Sequence, residues 1–431
     1  MDLPYSHVCA RKLNPCNIKK LMKIGILTYH AEYNFGANLQ AYTTALYLQS
    51  LGHEAKIIDY GREATIPKYR KIVPKEQWSA HDSFVENRLP LTQAVNTKDE
   101  LITVVRREKF DGIIVGADAV WSYGETEKQM PVYFLDWFFD TPDISKIPTA
   151  AMSVANMSLG FAHLNEVDKA KLKNVISKFS YLTVRDNWTR TAVNEHIFAG
   201  ENCVELLNPD PVVVLKDLLE DKLDTLGLVE ANDKYILFTF PVGAKAPEKW
   251  FNKFKVHANA RGYKVGELPL PEGTSGFDFD FVIPYPIDPL QWYLWLMHSS
   301  GFVGMRFHPV VSCISAGVPF ISIDSYGSSS SFVKVLSLLG FYRISRLFDG
   351  KSKIFQLLHN TKFEKNRFPG VRGLIASKPS DAFKMLVNTQ REDITLLCDS
   401  LKKEYTQNMQ NILDVFKASA PETLDTTRNR E

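Results

Sequence analysis

The sequence predicts an α/β protein built from two successive Rossmann-like domains, and three observations carry that expectation. At about 150 residues per domain, its 431 residues allow two to three domains. Short apolar runs alternate with stretches of helical periodicity twice over, once in each half of the chain. Between the two series, the charged stretch Lys216 to Asp233 reads as a linker. The boundaries that follow are an extension at 1–22, a first Rossmann-like domain at 23–225, a second at 226–390, and a C-terminal helix with a flexible tail at 391–431.

The residues before Met22 are polar and irregular, and MKIGILTYH then reads as a fresh beginning, so the extension is expected to be dispensable. Lys23 to Tyr29 is a strand, and Leu39 to Leu51 a helix with apolar Leu39, Tyr42, Leu46 and Leu51 on one face. Gly52 stops that helix and Ala55 to Tyr60 forms the next strand, a βαβ unit whose right-handed crossover implies a parallel sheet. Arg62 to Arg107, with Pro67, Pro74 and Pro90, reads as an excursion rather than sheet. Phe110 to Val115, Pro148 to Ala155 and Tyr181 to Val184 continue the strands, with Leu164 to Phe179 as a helix, and Asn208 to Leu215 ends the half. The second series runs YILFTF, helix Glu248 to Arg261, YKVGELPL, DFVIP, helix Pro289 to Met297, GFVGM, helix Pro309 to Gly317 and PFISID. Helices are also expected over Phe332 to Leu339 and Asp393 to Lys417. Two such halves in succession suggest a glycosyltransferase-B-like architecture, with a ligand in the interdomain cleft between the carboxyl ends of the two sheets.

Composition excludes several classes. Lys plus Arg number 51 against 49 Asp plus Glu, a net charge of +2, which gives nucleic acid no electrostatic footprint. Cys9, Cys16, Cys203, Cys313 and Cys398 are odd in number and scattered, with no CxxC and no Cys/His ligand spacing. They point to a reduced, cytoplasmic setting and to no metal site. No run of 18 apolar residues and no signal h-region exist, which leaves peripheral membrane contact as the one membrane reading still open.

Five segments at strand ends can carry chemistry. YHAEYNFGANLQ, Tyr29 to Gln40, joins a strand to a helix N-terminus, a natural anion site; Asn34, Gly36 and Asn38 either line it or merely turn and cap the helix. GMRFHP offers Arg306, whose guanidinium fork suits carboxylate or phosphate, and His308, which exchanges protons near neutrality. The bland alternative is a surface ion pair beside a capped histidine. In YLTVRDNWTR, Arg185 points at a cleft anion or is neutralised by Asp186. In VGADAVW, Asp118 orients a hydroxyl or caps a helix, and Asp210 between Pro209 and Pro211 is explained by an extended turn alone. Trp292 and Trp295, three apart, fill the core face of a helix more readily than they stack on sugar.

Taken in order, these segments resemble the polysaccharide pyruvyltransferase family. KIGILTYHAEYNFGANLQAYTTALYLQSLGHEAKIIDY is similar to its N-terminal strand, NxGA-type loop and LQA helix. FDGIIVGADAVW resembles the GSDQVW-type segment, SYLTVRDNWT the SVRE-type segment, NPDPVVVL the DP segment, and GMRFHPVVSCISAGVPFISI the motif of arginine, aromatic and histidine followed by a GxPFI strand. Ala117 and Ala119 replace the usual serine and glutamine, Pro309 stands where a small residue is common, and DSYGSSSS replaces a YDxK-like segment, with Lys334 far from that position.

The resemblance implies transfer of pyruvyl from phosphoenolpyruvate, as co-substrate and with no other cofactor, to two hydroxyls of a sugar, on a polysaccharide or lipid-linked precursor at the cytoplasmic face of the membrane. It gives Arg306 and Arg185 an anion-clamping role, His308 that of general acid/base or phosphate-stabilising donor, and Asn34, Gly36 and Asn38 the acceptor or phosphate side, with Asp118 and Asp210 also at the substrate. Two rivals stand beside it. A nucleotide-sugar glycosyltransferase of the same architecture is disfavoured because no acidic residue lies between Arg306 and Ile323. The other is a non-catalytic saccharide-binding protein. Oligomeric state has no signal in the sequence.

Overall fold

The structure is a computed structural model that describes residues 21–124, 129–156, 160–221, 234–245, 247–324 and 352–419. Strands β1 (Lys23–Leu27), β2 (Glu54–Ile57), β3 (Gly112–Val115), β4 (Thr149–Val154), β5 (Tyr181–Val184) and β6 (Leu206–Leu207) form a parallel sheet in the order β2-β1-β3-β4-β5-β6. A second parallel sheet orders β7 (Tyr235–Thr239), β8 (Lys264–Glu267), β9 (Phe281–Val282), β10 (Gly301–Met305), β11 (Phe320–Asp324) and β12 (Arg367–Pro369) as β12-β11-β10-β7-β8-β9. Strands β3, β4, β7, β10 and β11 are buried along their whole length, because helices cover both faces of each sheet. The chain reverses direction across the sheet between β1 and β3 in the first domain and between β7 and β10 in the second. At such a switch point the flanking helices diverge and leave a crevice beyond the strands' carboxyl ends.

The two domains share one apolar core. Phe35 and Leu39 of helix Phe35–Ser50 pack with Trp292 and Leu296 of helix Pro289–His298 and with Val310 and Ile314 of helix Phe307–Ala316. A stack of four rings crosses the boundary: Tyr33 on His81 at 5.1 Å, His81 on Phe35 at 5.0 Å and Phe35 on Trp292 at 5.4 Å. Beside it the buried Gln77 amide donates to Ile287 O at 2.6 Å and accepts from Ile287 N at 2.9 Å. The C-terminal helix Arg391–Ser419 leaves the second domain and lies on the first. Tyr181 Oη donates to Asn408 Oδ1 at 2.9 Å, Asn408 Nδ2 donates to Leu207 O at 3.0 Å, and Phe416 fills the space above Gly112, where a Cβ would come within 2.2 Å of its ring. Lys402 of that helix is tied to Asp217 at 2.7 Å. Among the described residues no helix is long and apolar enough to cross a membrane.

Two differences from expectation have physical causes. Arg62 to Arg107 is not an irregular excursion but holds helices Arg62–Tyr69, Lys75–Arg88 and Lys98–Glu108. The first buries no side chain and the second buries Gln77 and His81 among its four inward residues, so apolar periodicity is too sparse to announce them. The third opens with a capping box, Thr97 with Glu100, that the sequence does display. The helix expected from Leu39 begins at Phe35, because Asn34 caps it. The segment DSYGSSSS beyond Asp324, Lys334 and the helix expected over Phe332 to Leu339 lie outside the described residues, as do 1–20 and 420–431.

Candidate functional site

The switch points of the two sheets face each other. In the first domain β1 leads through a loop to helix Phe35–Ser50, where Asn34 Oδ1 accepts from Gly36 N at 3.0 Å and Ala37 N at 3.4 Å. In the second, β10 leads to Arg306, held at φ +78°, and then to helix Phe307–Ala316. The left-handed backbone at a non-glycine residue is strained, and here it turns the chain sharply from strand into helix. The two helix N-termini meet side chain to backbone: a Cβ on Gly36 would lie 2.0 Å from Cγ and Nδ1 of His308. Gly36 is therefore the space that the His308 ring occupies.

Beneath His308 lies a network of charges delivered by three separate segments. Asp210, in the turn after β6, accepts from Val212 N through Oδ1 at 3.1 Å. Its Oδ2 accepts from Gln40 Nε2 and, at 3.1 Å, from Arg185 Nη1, and lies 3.8 Å from His308 Nε2. Arg185, at the end of β5, also reaches Asp118 Oδ1 at 3.3 Å and stacks its guanidinium on the Phe307 ring at 4.7 Å. Asp118 follows β3 at φ +72°, reached through Gly116 at φ +123°, where a Cβ would meet Met152 O at 2.0 Å. Only glycine fits there. The side chains of Arg185 and Asp210 are 3% and 2% exposed, so this is a buried cluster and not a surface pair.

Lys353 joins the cluster from helix Lys353–Leu358, lining one cavity with Arg185, Asp186, Asp210 and Phe307. Burial pushes its ammonium below the ordinary value, with Arg185 acting the same way and Asp118, Asp186 and Asp210 against it. Burial pushes the Asp118 carboxyl up, but Arg185, Lys353 and His308 outweigh it and hold the group well below the usual carboxylate range. Burial lowers His308 against the pull of Asp210 and Asp118. The imidazole is thus neutral near pH 7 and competent to take a proton, with a carboxylate in place to steady the cation that results.

His308, Arg185, Asp118 and Asp210 are brought together, and Gly36 with Asn34 adjoins them. Asn38 is not at the cleft: fully buried, its Nδ2 donates to His30 O at 2.7 Å and its Oδ1 pairs with His81 Nδ1 at 3.0 Å, so it shapes the loop from behind. Arg185 is neutralised, though by Asp118 and Asp210 rather than by Asp186, whose Oδ1 caps helix Asn187–His196 by accepting from Thr189 N. Arg306 and Arg185 do not converge on one spot. Arg306 is half exposed, donates to Glu272 Oε1 at 2.8 Å and lines a second cavity, shared with His308, Tyr33 and Tyr69. Among the described residues no group of three or more His, Cys, Asp or Glu side chains is arranged to hold a metal ion.

Glu32 carries a perturbation that its sequence position does not announce. Burial, and then the Asp118 charge, push its carboxyl up to about 7, against a hydrogen bond from Tyr69 and the charge of Lys68. A raised folded-state value means the native protein binds this proton more tightly than the unfolded chain. Its contribution is undiminished below about pH 4.5 and is lost as pH rises towards 7, up to about 3 kcal/mol in all. Glu32→Gln, which stays neutral, should therefore gain on the wild type as pH rises from about 5 to about 8 in urea unfolding. A stability difference that does not change with pH would show that Glu32 ionises as an ordinary surface acid does.

Compared with known proteins, residues 34–326 match the family model of polysaccharide pyruvyl transferase, a span that holds all of these motif residues but Glu32 and Lys353. No curated protein sequence matches the chain. Among solved structures, a putative UDP-N-acetylglucosamine 2-epimerase from Listeria monocytogenes is similar at 10% identity and a TM-score of 0.50, covering 94% of this chain and 98% of that one. UDP-GlcNAc 2-epimerase from Methanocaldococcus jannaschii is 15% identical, with a TM-score of 0.47 and 86% and 94% covered. The glycosyltransferase SnogD from Streptomyces nogalater is 12% identical, with a TM-score of 0.41 and 93% and 100% covered. At 10% identity the likeness to the Listeria structure is one of fold, and it agrees with the two Rossmann-like domains that the two parallel sheets make.

Proposed function

The chain belongs to the polysaccharide pyruvyl transferase family, and we propose that it moves the pyruvyl group of phosphoenolpyruvate onto two hydroxyls of a saccharide, forming a ketal and releasing phosphate. The observation that supports this reading best is the convergence of His308, Gly36, Asp210, Arg185 and Asp118, from five separate segments, at the switch points of both sheets.

The chemistry has definite needs, and the balance of atoms is closed without a further reagent. Carbon 3 of the enolpyruvyl group gains a proton as positive charge develops at carbon 2, and one hydroxyl oxygen bonds to carbon 2. The bond from carbon 2 to the phosphate oxygen then breaks, phosphate leaves with the electron pair, and the second hydroxyl closes the ring. One hydroxyl proton ends on carbon 3 and the other on phosphate. His308 takes the proton of the attacking hydroxyl, and Asp210 stabilises the imidazolium. Arg185, itself tied to Asp118, holds Asp210 in place. Arg306 exchanges Glu272 for an anionic group of the donor, with Asn34 and Gly36 beside it at the helix N-terminus.

Phosphate release from phosphoenolpyruvate, with and without galactose, mannosamine and glucosamine acceptors, tests the reaction, with mass analysis for the pyruvate adduct. Acceptor-dependent release with an adduct supports it, whereas silence with every acceptor, in a protein stabilised by nucleotide instead, overturns it. In the same assay His308→Gln should lose at least about 100-fold in turnover. Full turnover in that variant would reduce His308 to a packing residue.

A further inference from the structure

The reaction as balanced above puts a proton on carbon 3 of the donor, and that proton needs a source at the cavity that receives the donor. Five titratable side chains line this cavity: Tyr33, Tyr69, Glu272, Arg306 and His308. His308 is committed to taking the proton of the attacking hydroxyl, and the Arg306 guanidinium does not give one up. Glu272 is the ion-pair partner of Arg306 at 2.8 Å, and a carboxylate so paired holds no proton to give. Tyr33 Oη donates to Asp82 at 2.9 Å and accepts from Arg70 Nε at 3.1 Å. Behind His308, Asp210 is met by donors from Gln40, Arg185 and Val212, and Lys353 lines the other cavity. Tyr69 remains.

Tyr69 ends helix Arg62–Tyr69 and is hydrogen-bonded to Glu32. Glu32 stands in the loop that carries β1 into helix Phe35–Ser50, and its carbonyl fixes that loop by accepting from Asn34 N at 2.7 Å. Its carboxyl thus joins a phenol on the cavity wall to the Asp118 end of the charged cluster. Alone, the phenol is no acid here, since burial and then the Glu32 charge push it far above its ordinary value. Behind it, a protonated carboxyl changes the case: its O–H donates to Tyr69 Oη, and the phenol O–H is released to turn into the cavity.

We infer that Glu32 and Tyr69 form a proton relay, in which the phenol hands its proton to carbon 3 of the enolpyruvyl group as the Glu32 carboxyl hands its own to the phenol oxygen. The electron pair of the double bond between carbons 2 and 3 forms the new C–H bond, positive charge develops at carbon 2, and Glu32 is left as carboxylate. Solvent returns a proton to Glu32 as His308 releases the one it took, so the sum of the reaction is unchanged. The groups facing Glu32 come from three elements: Asp118 after β3, Lys68 and Tyr69 of helix Arg62–Tyr69, and Tyr133 of the turn Val132–Phe134. With burial first and Asp118 next pushing it up to about 7, the carboxyl keeps its proton about half of the time at neutral pH. The inference rests on the pyruvyl-transfer reading and adds to it a source for the proton on carbon 3.

Adduct formation from phosphoenolpyruvate by the full chain, followed across the pH range, tests the relay, with phosphoenolpyruvate binding read separately by thermal shift. In the wild type the rate should fall as pH rises through about 7, because the acid form of Glu32 is lost. Glu32→Gln and Tyr69→Phe should each lower the neutral rate at least about 100-fold and leave the phosphoenolpyruvate shift in place. The residual rate of Glu32→Gln should lack the alkaline fall, and Glu32→Asp should recover it. A wild-type rate in either variant overturns the relay, as does loss of the phosphoenolpyruvate shift, which would make the pair a binding element. An alkaline fall that persists in Glu32→Gln and vanishes in Glu272→Gln also overturns it and moves the role to Glu272. No adduct from the wild type with any saccharide acceptor sinks the pyruvyl-transfer reading itself, and the relay with it.

Discussion

Gly36→Ala is expected to cost at least about 100-fold in turnover while the protein stays folded. Gly36 lies in the first turn of helix Phe35–Ser50 with ordinary helical backbone, where alanine is by itself the better helix former. The loss comes from a single methyl group. Its carbon would stand 2.0 Å from the His308 ring, so the imidazole must leave its place 3.8 Å from Asp210 Oδ2. An error of an ångström at a proton-transferring group is worth orders of magnitude in rate. The check is turnover in the phosphate-release assay beside a thermal unfolding curve. Wild-type turnover would mean that the position of His308 is immaterial to the reaction.

Arg185→Met is expected to be the most destabilising single change at the site, by about 3–5 kcal/mol, because it strands buried carboxylates. Asp118 and Asp210 each lose the guanidinium that compensates them, and with side chains 12% and 2% exposed they gain little water in its place. The methionine can still cover the Phe307 ring, so the cost is electrostatic rather than a cavity. In the variant Asp118 loses the largest of the charges that hold its carboxyl down, so it favours its protonated form and the deficit should shrink as pH falls below neutrality. Urea unfolding at several pH values measures this, and adding Asp118→Asn should recover part of the loss. A deficit below about 1 kcal/mol at neutral pH would show that the cluster is solvated like an exposed pair.

Strands were the most legible part of the molecule. Tyr181–Val184 and Gly301–Met305 were readable to the residue, since a parallel strand covered on both faces is a compact apolar block bounded by polar turns. Helices that bury little, such as Arg62–Tyr69, left no periodic trace. At the site, motifs located Arg185, Asp118, Asp210 and His308, but not what each of them does. Arg185 is separated from Asp210 by 25 positions and from Asp118 by 67, so its neutralisation is written in tertiary structure alone. Lys353 has no motif around it and arrives through the helix that it begins. Glu32 sits within a recognised loop, yet its raised carboxyl depends first on burial by the folded chain and then on the arrival of Asp118 from another strand end. Asn38 shows the opposite failure, a residue of suggestive type whose amide is spent on His30 of the loop and on His81 of helix Lys75–Arg88.

The four-ring stack and the paired hydrogen bonds of Gln77 with Ile287 bear on how the protein moves. Two domains hinged on a bare linker can gape and snap shut around a substrate. Here the hinge line itself is glued: rotating one sheet against the other would unstack His81 and Phe35, open the shared core to water and break both bonds of the Gln77 amide to Ile287. The crevice is accordingly a standing one. A ligand therefore meets a geometry that packing has already set.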